Sequence, residues 1–212
     1  MRLILLSAAF LASGIASAAT PVNGWYSSVF GGYTNLPSNI NTLNYALLRD
    51  QVGYKNGYNA GGRVGYQSNP IRYEAEYTYI NGKTKHFDIN HVRQTGVSGS
   101  ATGNFLMANL YYDFPDMLPA ISPYLGVGIG YAYLETSLHS YGPFGRTYFK
   151  ANDSAFAYQG TAGITYNFSE NYAVNIAYRY TATNKVDTLG KAFQANMANF
   201  GVVYRFDQVN YK

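Results

Sequence analysis

The stretch that decides the fold is Pro123–Tyr133, PYLGVGIGYAY, in which large apolar residues alternate with very small ones. The large residues are Leu125, Val127, Ile129, Tyr131 and Tyr133, and the positions between them are glycine or alanine. A period of two residues predicts a β-strand, because successive side chains point to opposite faces. Glycine weakens an isolated strand. The nearly empty face therefore favours a small closed barrel, whose narrow interior is crowded by side chains from the other strands.

The composition favours one β domain over an enzyme or a nucleic-acid-binding protein. The 212 residues include 22 Gly, 23 Tyr and 12 Phe, and only 12% of them are charged. This length suits a single domain. A formal net charge of +4, without a basic stripe, is too small a surplus to indicate nucleic acid. The chain has no cysteine, so hydrogen bonds and packing must hold the fold.

The first 18 residues have the pattern of a secretory signal peptide. Arg2 supplies a cationic start, an apolar run follows from Leu3 to Ile15, and small residues precede a cleavage point after Ala18. The apolar run is shorter than the roughly 20 residues that a spanning helix needs. We therefore expect residues 1–18 to be a signal peptide and residues 19–212 to be one barrel domain.

Counting the opening stretch, the chain has eight segments with a two-residue period, each of about ten residues. Besides the opening stretch they are residues 24–33, 57–67, 71–80, 103–114, 155–168, 172–180 and 193–206. Four polar stretches without clear periodicity separate them, namely residues 34–56, 81–102, 134–154 and about 181–191. These long connections alternate with short ones. The pattern predicts an eight-stranded antiparallel up-and-down transmembrane β-barrel, with short periplasmic turns at one rim and four long extracellular loops at the other.

The first short turn allows a prediction of strand register. A two-residue loop at Ser68 and Asn69 would pair Tyr66 with Ile71 and Arg63 with Glu74. In this register apolar residues share one face and charged residues share the other, as the pleat of a sheet requires.

The alternation alone does not decide which face points outward, because a soluble barrel shows the same period with the faces reversed. Aromatic side chains recur near the strand ends on the apolar face, as in the interfacial girdles of membrane barrels. A charged side chain facing mid-bilayer lipid costs about 2 to 4 kcal/mol. We therefore expect an interior ionic cluster of Arg63, Glu74, Glu76 and Arg179, which fills the barrel rather than lining a pore.

Six stretches resemble the outer membrane protein β-barrel family, which includes opacity-like proteins and the transmembrane domain of outer membrane protein A. They are GWY at 24–26, NLYYDF at 109–114, PYLGVGIGY at 123–131, YQGTAGITY at 158–166, YRY at 178–180 and FGVVYRF at 200–206. The resemblance implies residence in the bacterial outer membrane as a monomer, among lipid and lipopolysaccharide and without a cofactor. It also implies that the barrel assembly machinery reads the last strand through Phe200, Val202, Tyr204 and Phe206.

Three functional classes remain open, namely a noncatalytic barrel, a lipid A-modifying enzyme and a small-solute pore. His86, Asp88 and His91 are too isolated to indicate a metal site, and we expect none. A lipid A deacylase or acyltransferase would need a hydroxyl nucleophile and a base, for which His139 and Ser140, with Glu135, are the candidates. A small-solute pore is the third class.

We expect a noncatalytic barrel with a structural or surface adhesion role. Its long loops carry Lys83, Lys85, Arg93 and Arg146, which suit acidic lipopolysaccharide or host glycans.

Overall fold

The structure, a computed structural model, describes residues 23–37, 40–41, 50–54, 56–89, 92–93, 95–114, 121–142, 145–186 and 191–206. Side chains are described for residues 23–37, 56–82, 101–114, 121–135, 152–184 and 192–206. The predicted signal peptide lies outside the described residues and stays a prediction. Within the described part of the chain, no helix is long and apolar enough to cross a membrane.

Eleven strands are present in the described ranges. They are β1 (Gly24–Asn35), β2 (Ile40–Asn41), β3 (Asp50–Tyr54), β4 (Gly57–Ser68), β5 (Ile71–Ile89), β6 (Val92–Arg93), β7 (Thr95–Asp113), β8 (Ile121–Gly142), β9 (Gly145–Asn167), β10 (Tyr172–Val186) and β11 (Lys191–Arg205). Eight of them pair antiparallel in the order β1, β4, β5, β7, β8, β9, β10, β11, and β11 pairs back with β1. The predicted closed eight-stranded barrel is confirmed.

The barrel strands are longer than the sequence pattern predicted. Residues 81–102 and 134–154, predicted as loops, largely continue β5, β7, β8 and β9 beyond the wall, and β8 pairs with β9 as far as Gly142 and Gly145. β3 and β6 extend the projecting part of β5. The prediction of loops was wrong here because a hairpin that leaves the wall needs no apolar face. Polar and apolar residues then do not alternate regularly in these segments, so the sequence does not predict a strand there.

The outward face is apolar and the inward face is polar. Exposed large apolar side chains follow alternate positions, for example Val127 at 66% and Tyr131 at 68% exposed. The positions between them hold the buried charged and amide side chains, among them Arg63, Glu76 and Arg179. This arrangement reverses that of a soluble barrel and matches a wall surrounded by lipid.

The register of the first hairpin differs from the prediction. The turn is formed by Asn69 and Pro70, and Ser68 pairs with Ile71. Tyr66 therefore lies opposite Tyr73, and Arg63 lies opposite Glu76 rather than Glu74. Proline has no N–H for the ladder and a fixed φ, so it suits a turn better than a paired position. The error is two residues, which keeps every side chain on its predicted face.

Candidate functional site

The interior of the barrel contains a chain of alternating charges, which we call the ion chain. It runs through Asp113, Arg72, Glu74, Arg63, Glu76 and Arg179. Successive nitrogen-to-oxygen distances along it are 2.8, 3.1, 3.5, 3.7 and 2.7 Å. None of the six side chains is more than 6% exposed. Three cations and three anions alternate, so the formal charges balance.

The four residues that the sequence pattern placed in an interior cluster all lie in this chain. Arg63 contacts Glu74 through Nη1 and approaches Glu76 through Nε. Arg179 reaches across the lumen from β10 to Glu76 on β5. Buried ions of this kind need partners on every side, because each carries a desolvation penalty of several kcal/mol.

The pattern missed Arg72 and Asp113 as members of the ion chain. Arg72 bridges Glu74 and Asp113. A signal was present, since Arg72 alternates in step with Glu74 and Glu76. Asp113 was missed because it lies on β7, whose register against β5 the alternation alone does not give.

Aromatic rings enclose the arginines. The Phe30 ring centroid lies 4.5 Å from Arg63 Cζ and 4.9 Å from Arg179 Cζ, so one ring contacts two cations. Tyr111 and Tyr124 lie 4.9 and 4.7 Å from Arg72 Cζ. Contacts between a cation and a ring face are worth about 2 kcal/mol or more when desolvated. The Tyr26 hydroxyl also donates a hydrogen bond to Glu74.

An apolar layer lies inside the barrel on the loop side of the ion chain. We use this name for a cluster of Leu36, Ile80, Phe105, Met107, Ala132, Leu134, Ala155, Ala157, Ala195 and Met197, against which Phe193 packs. Along β5 the inward positions run from Glu76 through Thr78 to Ile80. Met107 pairs with Glu76 and Phe105 pairs with Thr78, so the layer begins directly above the charges. Sequence reasoning missed Leu134, because the residue was assigned to a loop.

The glycine face of β8 is covered by side chains of other strands, as expected. A Cβ at Gly126 would overlap the Tyr111 ring, and one at Gly128 would overlap Asn109 Oδ1 and lie 3.1 Å from Gln159 Cγ. The nearest atoms thus belong to side chains on the flanking strands β7 and β9. No atom of the ion chain is among the nearest atoms at Gly126 and Gly128, and Tyr111 is the inward aromatic side chain at Gly126.

Two cavities show where space remains. A small cavity of about 10 Å³ lies at the turn end, between Arg72, Asp113 and Arg205, and is about the size of one water molecule. A shallow groove of about 600 Å³ opens on the lipid-facing side near Val127, Gly160 and Tyr178. This groove lies on the outside of the wall.

Arg205 lies at the turn end of the interior, where sequence reasoning assigned it no role. Its guanidinium donates to Asn167 Oδ1 at 2.7 Å, and its Nε atom lies 3.4 Å from Gln67 Oε1. Among the described side chains, no carboxylate lies within ion-pair distance of Arg205. Neutral amides thus satisfy this cation.

The residues proposed for the enzyme alternative lie on a strand and not on a loop. His139 pairs with Tyr148 and Ser140 with Thr147. Adjacent residues of one strand belong to opposite faces, so this register does not bring His139 and Ser140 together on one face. Among the described residues, no group of three His, Cys, Asp or Glu residues could hold a metal ion. His91 lies outside the described residues.

Two predicted sets remain, the basic residues expected in the loops and the apolar residues expected to direct assembly. Lys83 pairs with Ser100, Arg93 with Asp88, and Arg146 with Tyr141, all in the strands that project beyond the wall. Lys85 lies in the same part of β5. Phe200, Val202, Tyr204 and Phe206 are between 37% and 53% exposed on the outward face of the last strand and just past its end. Their role in assembly stays a prediction.

Comparison with known families agrees with this geometry. Residues 3–206 match the family described as outer membrane protein beta-barrel domain. The chain belongs to this family. It is accordingly a protein of the bacterial outer membrane, as the sequence pattern predicted. The apolar outer wall and the polar, charged interior described above are the physical basis of that assignment.

Individual relatives support the fold of this outer membrane barrel. Uncharacterized proteins of Brucella abortus (strain 2308) and Brucella suis biovar 1 (strain 1330) are each 28% identical over 170 residues, covering 70% of this chain and 58% of theirs. Neisserial surface protein A has a similar structure, with a TM-score of 0.59, 18% identity, and coverage of 86% of this chain and 97% of its own. OprG from Pseudomonas aeruginosa gives a TM-score of 0.54 at 12% identity, covering 88% and 98%.

Proposed function

We propose that this protein is a noncatalytic outer membrane barrel with a closed interior, which acts at the cell surface through its projecting hairpins. The observation that carries the proposal is the two-layer filling of the lumen, by the ion chain and by the apolar layer above it. The interior then holds the wall in shape, and contacts with partners are left to the segments beyond the membrane.

The burial of the interior side chains is evidence against a small-solute pore. Phe105 and Ile80 are each 1% exposed and Leu134 is 3% exposed, so the apolar layer has little room for water. A hydrophobic constriction of this kind opposes the entry of ions, because the ion would have to lose its hydration shell. The charges below it are paired with each other and do not line an open path.

The hairpins supply the surface that the proposal needs. From the level of Leu134 and Asp153 outward, β8 and β9 remain paired over nine residues each, Leu134–Gly142 and Gly145–Asp153. This length amounts to about 30 Å of strand. The projecting segments carry the basic residues Lys83, Lys85, Arg93 and Arg146, which suit an acidic partner such as lipopolysaccharide or a host glycan.

Binding of the detergent-folded protein to host-cell surfaces tests the proposal. A variant in which residues 83–100 and residues 137–150 are each replaced by a short turn removes the projecting parts of the β5–β7 and β8–β9 hairpins, with all four basic residues, and leaves the membrane wall intact. We expect this variant to stay folded and to lose most of the surface binding. Equal binding by the shortened and full-length proteins, or no binding by either, would contradict the proposed role.

Lipid A mass spectra test the enzyme alternative separately. Spectra from cells with and without the protein should be identical if the barrel is noncatalytic. A change in acylation that disappears in Ser140→Ala would show catalysis.

A further inference from the structure

Four outward-facing asparagines at the loop end of the barrel strands are hydrogen-bonded to tyrosine. We call Asn81, Asn104, Asn152 and Asn196 the asparagine belt. On β5 five outward positions, Ile71 to Tyr79, are apolar before Asn81 is reached. On β11 the outward positions from Phe206 to Ala198 precede Asn196. Nine residues of strand tilted by about 45° span about 20 Å, close to the height of the apolar band of membrane barrels. The belt thus marks the loop-side edge of the lipid-facing band.

Three members of the belt are hydrogen-bonded to a tyrosine hydroxyl on the neighbouring strand, two as acceptors and one as a donor. The Tyr77 hydroxyl donates to Asn104 Oδ1 at 2.7 Å, and the Tyr178 hydroxyl donates to Asn196 Oδ1 at 2.6 Å. The Asn152 Nδ2 group donates to the Tyr133 hydroxyl at 3.0 Å.

In all three pairs the tyrosine and the asparagine lie on neighbouring strands. On the asparagine's strand, the residue directly opposite the tyrosine lies two positions from the asparagine, on the side away from the loop end. Those opposite residues are Leu106, Ala198 and Ser154. Three separate strand pairs therefore repeat one diagonal arrangement. Asn81 makes a related contact along its own strand, since its Nδ2 atom donates to the Tyr79 hydroxyl at 3.1 Å.

The turn end of the same wall has a different chemistry. There aromatic rings pack against each other, with centroid distances of 5.5 Å for Trp25 and Tyr66 and 5.1 Å for Tyr172 and Tyr204. The four tyrosine–asparagine hydrogen bonds named above all lie at the loop end.

We propose that the asparagine belt binds the acyl carbonyl oxygens of outer-leaflet lipids and so fixes the depth of the barrel. The belt is continuous with the lipid-facing wall and lies where hydrocarbon gives way to the first polar layer. The Oδ1 atoms of Asn104 and Asn196 accept from tyrosine, which leaves the Nδ2 groups of these partly exposed side chains as donors. A neutral amide donor suits a carbonyl oxygen, whereas a phosphate would favour arginine or lysine.

Unfolding in two kinds of vesicle tests carbonyl binding. Diester and diether phosphatidylcholines with the same chains differ in the presence of the acyl carbonyls. We expect the wild-type protein to unfold at a lower urea concentration in the diether vesicles. The triple variant Asn104→Ala, Asn152→Ala, Asn196→Ala should lose that difference, and Tyr158→Phe, which removes a hydroxyl from the same face, should retain it.

Equal wild-type midpoints in the two lipids would overturn the proposal, and so would a triple variant that keeps the wild-type difference. A triple variant that is destabilised by the same amount in both lipids would show a purely structural belt, which also contradicts it. If the alanine variant does not fold, the set Tyr77→Phe, Tyr133→Phe, Tyr178→Phe tests the same contacts. We expect it to reduce the difference between the lipids, and an unreduced difference would count against the belt.

The depth of the barrel is measured through Trp25, the one tryptophan of the chain, which is 60% exposed at the turn end. Replacing Asn104, Asn152 and Asn196 by leucine lengthens the apolar band on three strands by one outward position, about 5 Å along the membrane normal. The bilayer should then centre closer to the loop end. We expect lipids brominated near the bilayer centre to quench Trp25 less in this variant than in the wild type, and unchanged quenching would contradict a role in depth.

Discussion

The Nη1 atom of Arg179 lies 2.7 Å from Oε1 of Glu76 and joins strands that are 103 residues apart in sequence across the lumen of the barrel. Both side chains are fully buried. Glu76 also lies 3.7 Å from Arg63 Nε and accepts a hydrogen bond from Thr78 at 2.9 Å. The Glu76 carboxylate therefore contacts two arginines and one hydroxyl group. Removing its charge would disrupt the central contacts of the ion chain.

We predict that Glu76→Gln destabilises the barrel by about 3–5 kcal/mol, because it leaves Arg179 without a charged partner in the interior. The measurement is urea unfolding in phospholipid vesicles. Glu170→Gln, an exposed carboxylate at a turn, is the matched control and should have little effect. The double variant Glu76→Met, Arg179→Met should recover much of the loss, since it removes both charges. A Glu76→Gln protein as stable as the control would refute the pairing.

A second prediction concerns the glycine face of β8. Leucine at Gly128 would overlap Asn109 and crowd Gln159, so Gly128→Leu should reduce the folded fraction strongly. Gly160→Leu is the control, because no atom lies within 4 Å of a Cβ added there. Heat-modifiable mobility on gels measures both. Normal folding of Gly128→Leu would show that the interior has space at this position.

The Tyr26 hydroxyl provides a third prediction. It donates to Glu74, a carboxylate that already contacts two arginines. Hydrogen bonds to charged groups contribute about 1.5–3 kcal/mol, so Tyr26→Phe should lower the free energy of unfolding by that amount. Tyr158→Phe, on the lipid-facing side, should change it by less than about 0.5 kcal/mol. A Tyr26→Phe loss no larger than this control would exclude a stabilising role for the bond.

The apolar layer provides a fourth prediction. Phe105→Ala removes a ring that is 1% exposed and packs on Phe193 at a centroid distance of 5.7 Å. The expected loss is about 3–5 kcal/mol, because the cavity lies inside a rigid wall. Leu106→Ala on the adjacent outward position is the control, and it should cost less since lipid chains fill the space. Equal losses for the two variants would place Phe105 outside a packed layer.

The wall of the barrel was predictable from the sequence because its two environments differ at every step. Leu125, Val127 and Ile129 face lipid while glycines face the lumen, and that contrast determines strand, face and closure together. The same reasoning placed Arg63, Glu74, Glu76 and Arg179 inside. Burial forces such groups inward whatever their partners are.

Pairing and length were less predictable. A shift of two residues in the first hairpin preserves every face, so alternation does not distinguish Arg63 opposite Glu74 from Arg63 opposite Glu76. The extended hairpins mix polar and apolar residues without a regular period of two, so they carry no strand signal. Leu134 was therefore assigned to a loop, and the apolar layer to which it belongs went unseen.

Single-channel recording in planar bilayers tests the closed interior most directly. Reconstituted wild-type protein, shown to be folded by its gel mobility, should give no steady unitary conductance, because the ion chain and the apolar layer together fill the lumen. The variant Phe105→Ala, Leu134→Ala should raise the frequency of opening events if it folds, since it thins the apolar layer. Steady, reproducible conductance steps from the wild-type barrel would contradict the account.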